Sequence, residues 1–194
     1  MIERFLLLAA AVLTLALGGC AHPISLNPDV ASLAGSGGAK IDKKVGLVVS
    51  EDARRREVTT PGGGGDKVSY FPYRDLENGL YFALAEAFAG VSRVAGPADP
   101  QVAAQGLNYL ITPEIRTTSF SDSLLTWPPT MFTVELSCRV SNASGASVTE
   151  VRVVGDGRAS FDEFKRDFSL AAKRASEDAL KKLVKALGEA QALR

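Results

Sequence analysis

Among 194 residues there are only two cysteines, one histidine and one tryptophan, and the formal charges cancel. Each scarcity excludes something. Cys20 and Cys138 allow at most one disulfide, and a separate chemistry claims Cys20, so core packing has to hold the domain even in an oxidising compartment. His22 lies close to the N-terminus, ahead of the region that reads as folded, which leaves the expected body without an imidazole for a triad, a proton relay or a zinc ligand. Lys plus Arg and Asp plus Glu both number 22, so there is no basic field to attract nucleic acid. The apolar run from Phe5 to Leu17 falls short of the roughly 20 residues that cross a bilayer.

What is present at the N-terminus is more specific. Arg4, the apolar run, and then Gly18-Gly19 have the layout of a signal peptide. Leu17-Gly18-Gly19-Cys20 resembles the lipobox of bacterial lipoproteins, which implies cleavage after Gly19, a diacylglyceryl group on the Cys20 sulfur and an N-acyl chain on the new N-terminus. Acyl chains contribute about 0.8 kcal/mol per buried methylene, so two or three of them hold a protein on a membrane. Ala21 follows the cysteine, where an aspartate resembles an inner-membrane retention signal, and outer-membrane delivery with a periplasmic body is expected. Residues 21–40 are rich in Pro, Ser, Gly and Ala and read as a flexible tether reaching at most roughly 70 Å. The expected organisation is therefore a signal peptide over 1–19, a lipidated cysteine and tether over 20–40, and one domain over 41–194.

Within that domain the pattern predicts an α+β fold, a mostly antiparallel sheet with two amphipathic helices on one face. Lys44–Val49 is a short β-branched run. Leu76, Leu80, Ala83, Leu84, Ala87, Phe88 and Val91 recur at helical spacing. Val91–Val94 and Leu107–Thr112 read as strands. Met131–Val140 alternates apolar and polar residues and, with the turn residues Asn142–Gly145 and the run Val148–Val154, predicts an antiparallel hairpin. Ser160 and Glu163 have capping-box spacing and open a long C-terminal helix with Phe164, Phe168, Ala172, Ala175, Ala179, Leu183 and Leu187 on one stripe. The pairs Glu177 with Lys181 and Asp178 with Lys182 suit a solvated helix face.

Candidate chemistry is sparse. Cys138 shares its parity with Phe132, Val134, Leu136 and Val140, which places its thiol in the core. The four glycines from Gly62 lack the spacing of a phosphate loop. Arg54, Arg55 and Arg56 form a basic cluster suited to lipid phosphates or an acidic partner, or simply a solvated loop. The connection from Ser119 to Thr130 carries Phe120, Leu124, Leu125 and Trp127, and reads equally as a contact loop with Trp127 as its anchor or as a loop folded back on its own core. No metal or cofactor site is expected beyond the acyl groups on Cys20.

The order of these features, from the lipobox through the short strand with its Asp52-Ala53-Arg54 break, a helix, strands, a hairpin and a C-terminal helix, resembles the YajG-type family of small outer-membrane lipoproteins. More loosely it resembles the lipoprotein auxiliaries of envelope lipid transporters and the N-terminal domains of TolB and CsgG family proteins. These resemblances imply a non-enzymatic envelope protein that binds a partner or takes part in assembly. The alternatives are a lipid-binding auxiliary of a transporter and, ranked last, a cell-wall hydrolase.

Overall fold

The structure is a computed structural model and describes residues 21–122 and 126–194. Its strands are β1 (Ala21–Pro23), β2 (Ile41–Val48), β3 (Val58–Pro61), β4 (Lys67–Tyr70), β5 (Phe88–Val94), β6 (Tyr109–Phe120), β7 (Met131–Asn142) and β8 (Ser147–Arg158). Its helices are α1 (Glu51–Arg55), α2 (Pro72–Ala87), α3 (Pro100–Ala104), α4 (Phe161–Phe164) and α5 (Leu170–Glu189). The main sheet runs β5-β2-β6-β7-β8, and a second sheet runs β1-β4-β3. The α+β class is as the sequence predicts. In the main sheet the long β6-β7 and β7-β8 ladders are antiparallel, while the shorter β5-β2 and β2-β6 pairings are parallel.

Strand β7 organises the core. Its even positions Phe132, Val134, Leu136, Cys138 and Val140 are at most 2% exposed, and its odd positions face the helix-free side, as alternation requires. The hairpin with β8 pairs Met131 with Arg158 through Val140 with Thr149. Helix α5 lies across β8 because both surfaces are small there. A Cβ on Gly157 would sit 2.0 Å from the Ala171 carbonyl oxygen, and one on Gly155 would sit 2.2 Å from the Ala179 nitrogen. Ala171, Ala175 and Ala179 take the facing positions, and Leu180, Leu183 and Leu187 continue the stripe into the core. Each such leucine contributes about 1.5–3 kcal/mol by leaving water.

Three elements differ from the sequence expectation. The helix over 76–91 starts earlier, at Pro72, whose fixed φ suits the first helical position, and it ends at Ala87. Phe88 and Val91 belong instead to β5, paired in parallel with β2. Strand β6 continues to Phe120 despite Pro113. Its pairing with β2 stops at Ile111, two residues before the proline, which has no N–H to give. Beyond that point, side chains replace β2 on that flank. The Ile115 N–H donates to the Tyr73 hydroxyl (3.3 Å), and the Tyr70 and Thr117 hydroxyls share a hydrogen bond of 2.7 Å. The C-terminal helix is broken in two. Ser160 and Glu163 do form a capping box, but it caps only α4, and Asp167 then accepts from the Ser169 N–H (2.9 Å) to start α5 anew. Phe168 falls in this break and is 48% exposed, off the buried stripe.

The tether over 21–40 is also corrected. Ala21–Pro23 is a strand, paired in parallel with β4. Ile24, Leu26 and Leu33 are 8%, 0% and 1% exposed within the main core. This strap lies against α2 and α5, with Pro28 against Gly79, where a Cβ would come within 2.6 Å of its ring. Side chains satisfy its backbone: Ser169 Oγ accepts from the Ser25 N–H (3.0 Å), buried Asp75 from Leu26 (3.1 Å), Glu177 from Asp29 (3.0 Å) and Glu86 from Gly35 (3.0 Å). Among the described residues the packed body thus includes the segment 21–40 that the sequence reads as tether.

Candidate functional site

Trp127 is half-buried and packs against the core. Its ring stacks on His22 of β1 with centroids 4.2 Å apart, and meets the Phe168 ring at 4.9 Å. The glycines at 62–65 make room for it. The Gly63 N–H donates to the Trp127 carbonyl (2.9 Å), a Cβ on Gly62 would lie 2.3 Å from that same oxygen, and Gly64 and Gly65 have φ of 65° and 89°. The loop therefore folds back on its own body at Trp127, whose ring packs on the core and remains partly accessible. Pro128 and Pro129 beside it are buried. Leu124 and Leu125, like Gly19 and Cys20, lie outside the described residues.

His22 corrects a second expectation, because its strand makes it part of the body after all. Its Nε2 lies 3.6 Å from Asp66 and its ring is committed to the Trp127 stack. Cys138 is fully buried in the core as expected, and burial pushes its thiol up to about 12, with Glu150 adding to the shift. Such a thiol is no nucleophile at neutral pH.

The three arginines separate. Ser50 caps α1, its hydroxyl accepting from the Ala53 N–H, and this short helix turns Arg54 inward. Arg54 donates through Nε and NH2 to the two oxygens of Glu77 at 2.6 and 2.8 Å, and through NH1 to Glu51. The Glu77 carboxyl is held below its usual range by this hydrogen bond, against the opposing effect of burial, with Arg93 (3.3 Å) assisting. Arg56 lies over the Tyr73 ring at 5.6 Å, while Arg55 is exposed. A single basic patch of all three is thus not what the fold makes. Glu77 and Arg93 were not singled out from sequence, since their partners are far along the chain. Arg93, with Glu51, Arg54 and Asp99, lines a shallow cleft where α1 meets the end of β5, and Glu77 holds Arg54 and Arg93 beside it.

The sheet's two margins differ. Along β8, α5 supplies side chains to the outward backbone. Lys182 Nζ donates to the Val154 carbonyl (2.8 Å), Asp178 accepts from the Asp156 N–H (2.9 Å) and Arg174 donates to the Arg158 carbonyl (2.7 Å). The charged face expected to be merely solvated therefore covers this edge from Val154 to Arg158, and Glu177 on it holds the strap. Along β5, the opposite edge, the Tyr81 hydroxyl donates to the Val91 carbonyl (3.3 Å) and the Arg93 guanidinium lies over the Tyr81 ring at 4.3 Å. No strand pairs with the outer side of β5 among the described residues. Ala89 and Arg93 are exposed there.

No group of three or more His, Cys, Asp or Glu is placed to hold a metal among the described residues, and no described helix is long and apolar enough to cross a membrane.

No family model matches the sequence, and no curated protein matches it closely. Solved structures do resemble the fold. The protein XCC0632 of Xanthomonas campestris, of the DUF330 family, aligns over 86% of this chain and 93% of its own at 12% identity and a TM-score of 0.49. A minor lipoprotein of Acinetobacter baumannii aligns over 73% of this chain and 89% of its own at 11% identity and 0.42. PelC of Paraburkholderia phytofirmans, a dodecamer, aligns over 73% and 91% at 17% identity and 0.39. Small lipoproteins are thus among the folds this chain is similar to, while likeness at this level assigns it neither a family nor an activity.

Proposed function

We propose that the protein is an outer-membrane lipoprotein, held through Cys20 with its body in the periplasm, that works by binding an envelope partner rather than by catalysis. The sequence Leu17-Gly18-Gly19-Cys20 supports the anchor. The observation that carries the binding role is the unequal treatment of the two sheet edges. α5 spends three charged side chains on β8, whereas β5 keeps an outer flank onto which an extended segment of a partner can pair. The lipid-carrier alternative needs a groove between helix and sheet, and that interface is filled by residues such as Leu84, Leu136, Leu180 and Leu183, each at 0% exposure.

The test compares the edges directly. A photocrosslinking residue at Ala89 on β5 is expected to trap one defined partner in living cells, and the same residue at Val154 on β8 is expected to trap none. Equal capture from both positions, or none from Ala89, refutes the edge reading. Separately, Cys20→Ala is expected to release the protein from the membrane fraction, and retention there refutes the anchor.

A further inference from the structure

We infer that the end of the body around β1 is seated against the membrane surface, with Phe120, Phe161 and Phe168 in the lipid interface. The inference rests on the proposed lipidation of Cys20 and specifies how the anchored body is oriented.

If Cys20 carries the acyl chains, the next residue, Ala21, is already paired with Lys67 in the small sheet. Consecutive Cα atoms are 3.8 Å apart, so no spacer separates the lipid from the folded body. Whatever surrounds β1 is consequently pressed to the bilayer.

Among the described residues the three most exposed phenylalanine rings stand at this same end, while Phe82, 42% exposed, lies on α2. Trp127 stacks on His22 of β1 and touches Phe168. In the main sheet Phe120, Met131 and Arg158 stand side by side at the strand termini, and the Ala159 N–H donates to the Thr130 carbonyl, which brings Phe161 of α4 to the same place. Phe120, Phe161 and Phe168 are 58%, 54% and 48% exposed, three of the few large apolar side chains the described body leaves in water. Charges there are mixed, Lys67, Arg158, Lys165 and Arg166 standing with Asp66, Asp122, Asp162 and Asp167, so the contact is to the apolar margin of the bilayer and not a purely electrostatic attachment. The opposite end, the β7-β8 turn at Asn142–Gly145, stands about 40 Å away along the twelve residues of β7.

Trp127, the single tryptophan, is a natural reporter at the seated end. The lipidated protein is reconstituted in vesicles of brominated phosphatidylcholine, and quenching of Trp127 is compared with that in Trp127→Phe/Ala143→Trp, which moves the reporter to the far turn. Quenching several-fold stronger from position 127 is expected. Phe120→Ser with Phe161→Ser, leaving the Phe168 contact with Trp127 intact, is expected to lower it while the lipid mass on Cys20 is unchanged. Absence of that lipid mass removes the anchor and this inference together. With the lipid present, equal quenching at 127 and 143, or full quenching in the double serine variant, overturns the orientation and leaves the anchor standing.

Discussion

β8 and β5 terminate the same sheet on opposite sides, and the difference between them comes down to geometry. Arg174, Asp178 and Lys182 advance by four helical residues, about 6 Å per step. Arg158, Asp156 and Val154 retreat by two strand residues, about 6.7 Å per step. The two spacings nearly match, so an antiparallel helix laid beside a strand offers one polar side chain to each of Arg158, Asp156 and Val154 in turn. The approach this requires is possible only because Gly155 and Gly157 face alanines. At β5 the neighbouring helix α2 offers the Tyr81 hydroxyl to the Val91 carbonyl, and no series of charged side chains repeats the device among the described residues.

Gly157→Val should have the largest effect. It forces a side chain into the Ala171 carbonyl, and should cost about 3 kcal/mol or more in chemical denaturation while opening the β8 edge. Asp178→Ala with Lys182→Ala removes two of the three edge contacts without touching the core. It should cost about 1–2 kcal/mol, and the Asp156 amide should exchange with deuterium markedly faster, with no change at β5. An unchanged rate at Asp156 would mean the side chains do not seal the strand.

On the other side, Glu77→Gln should cost about 1–2 kcal/mol by leaving Arg54 and Arg93 without their shared carboxylate. Because the folded carboxyl titrates below its unfolded value, its contribution is present above the ordinary carboxylate range and fades as pH falls through the depressed folded value. The stability difference between wild type and variant should therefore shrink on acidification, as paired denaturant melts would show. Lys185→Ala, at an exposed pair 4.0 Å from Glu189, should change stability by no more than a few tenths of a kcal/mol.

The parts legible in the sequence were those decided by neighbouring residues. Alternation alone placed Cys138 and the β7-β8 hairpin, and helical spacing found α2 and most of α5. Pro113 concealed the second half of β6, because a proline in a strand is tolerated only where a partner withdraws, and β2 does so at Ile111. At the break, Asp167 accepts from the Ser169 N–H and Phe168 meets Trp127 across the fold, a contact that leaves no local pattern. The bidentate grip of Arg54 on Glu77 spans 23 residues and leaves no local pattern. The strap was misread because its prolines, serines and glycines outweigh three aliphatics with no period, and because distant carboxylates and a hydroxyl satisfy its backbone.

That strap also sets a timetable. Ser25 and Asp29 leave the ribosome early, yet their hydrogen-bond partners Ser169 and Glu177 follow 144 and 148 residues later. These two contacts must wait until the last helix has been made, and closing so long a loop is among the slower steps a chain can take. A shortened version starting at residue 41 would never reach that step. It would lack Ile24, Leu26 and Leu33, and the buried Asp75 would have lost the Leu26 amide that meets it.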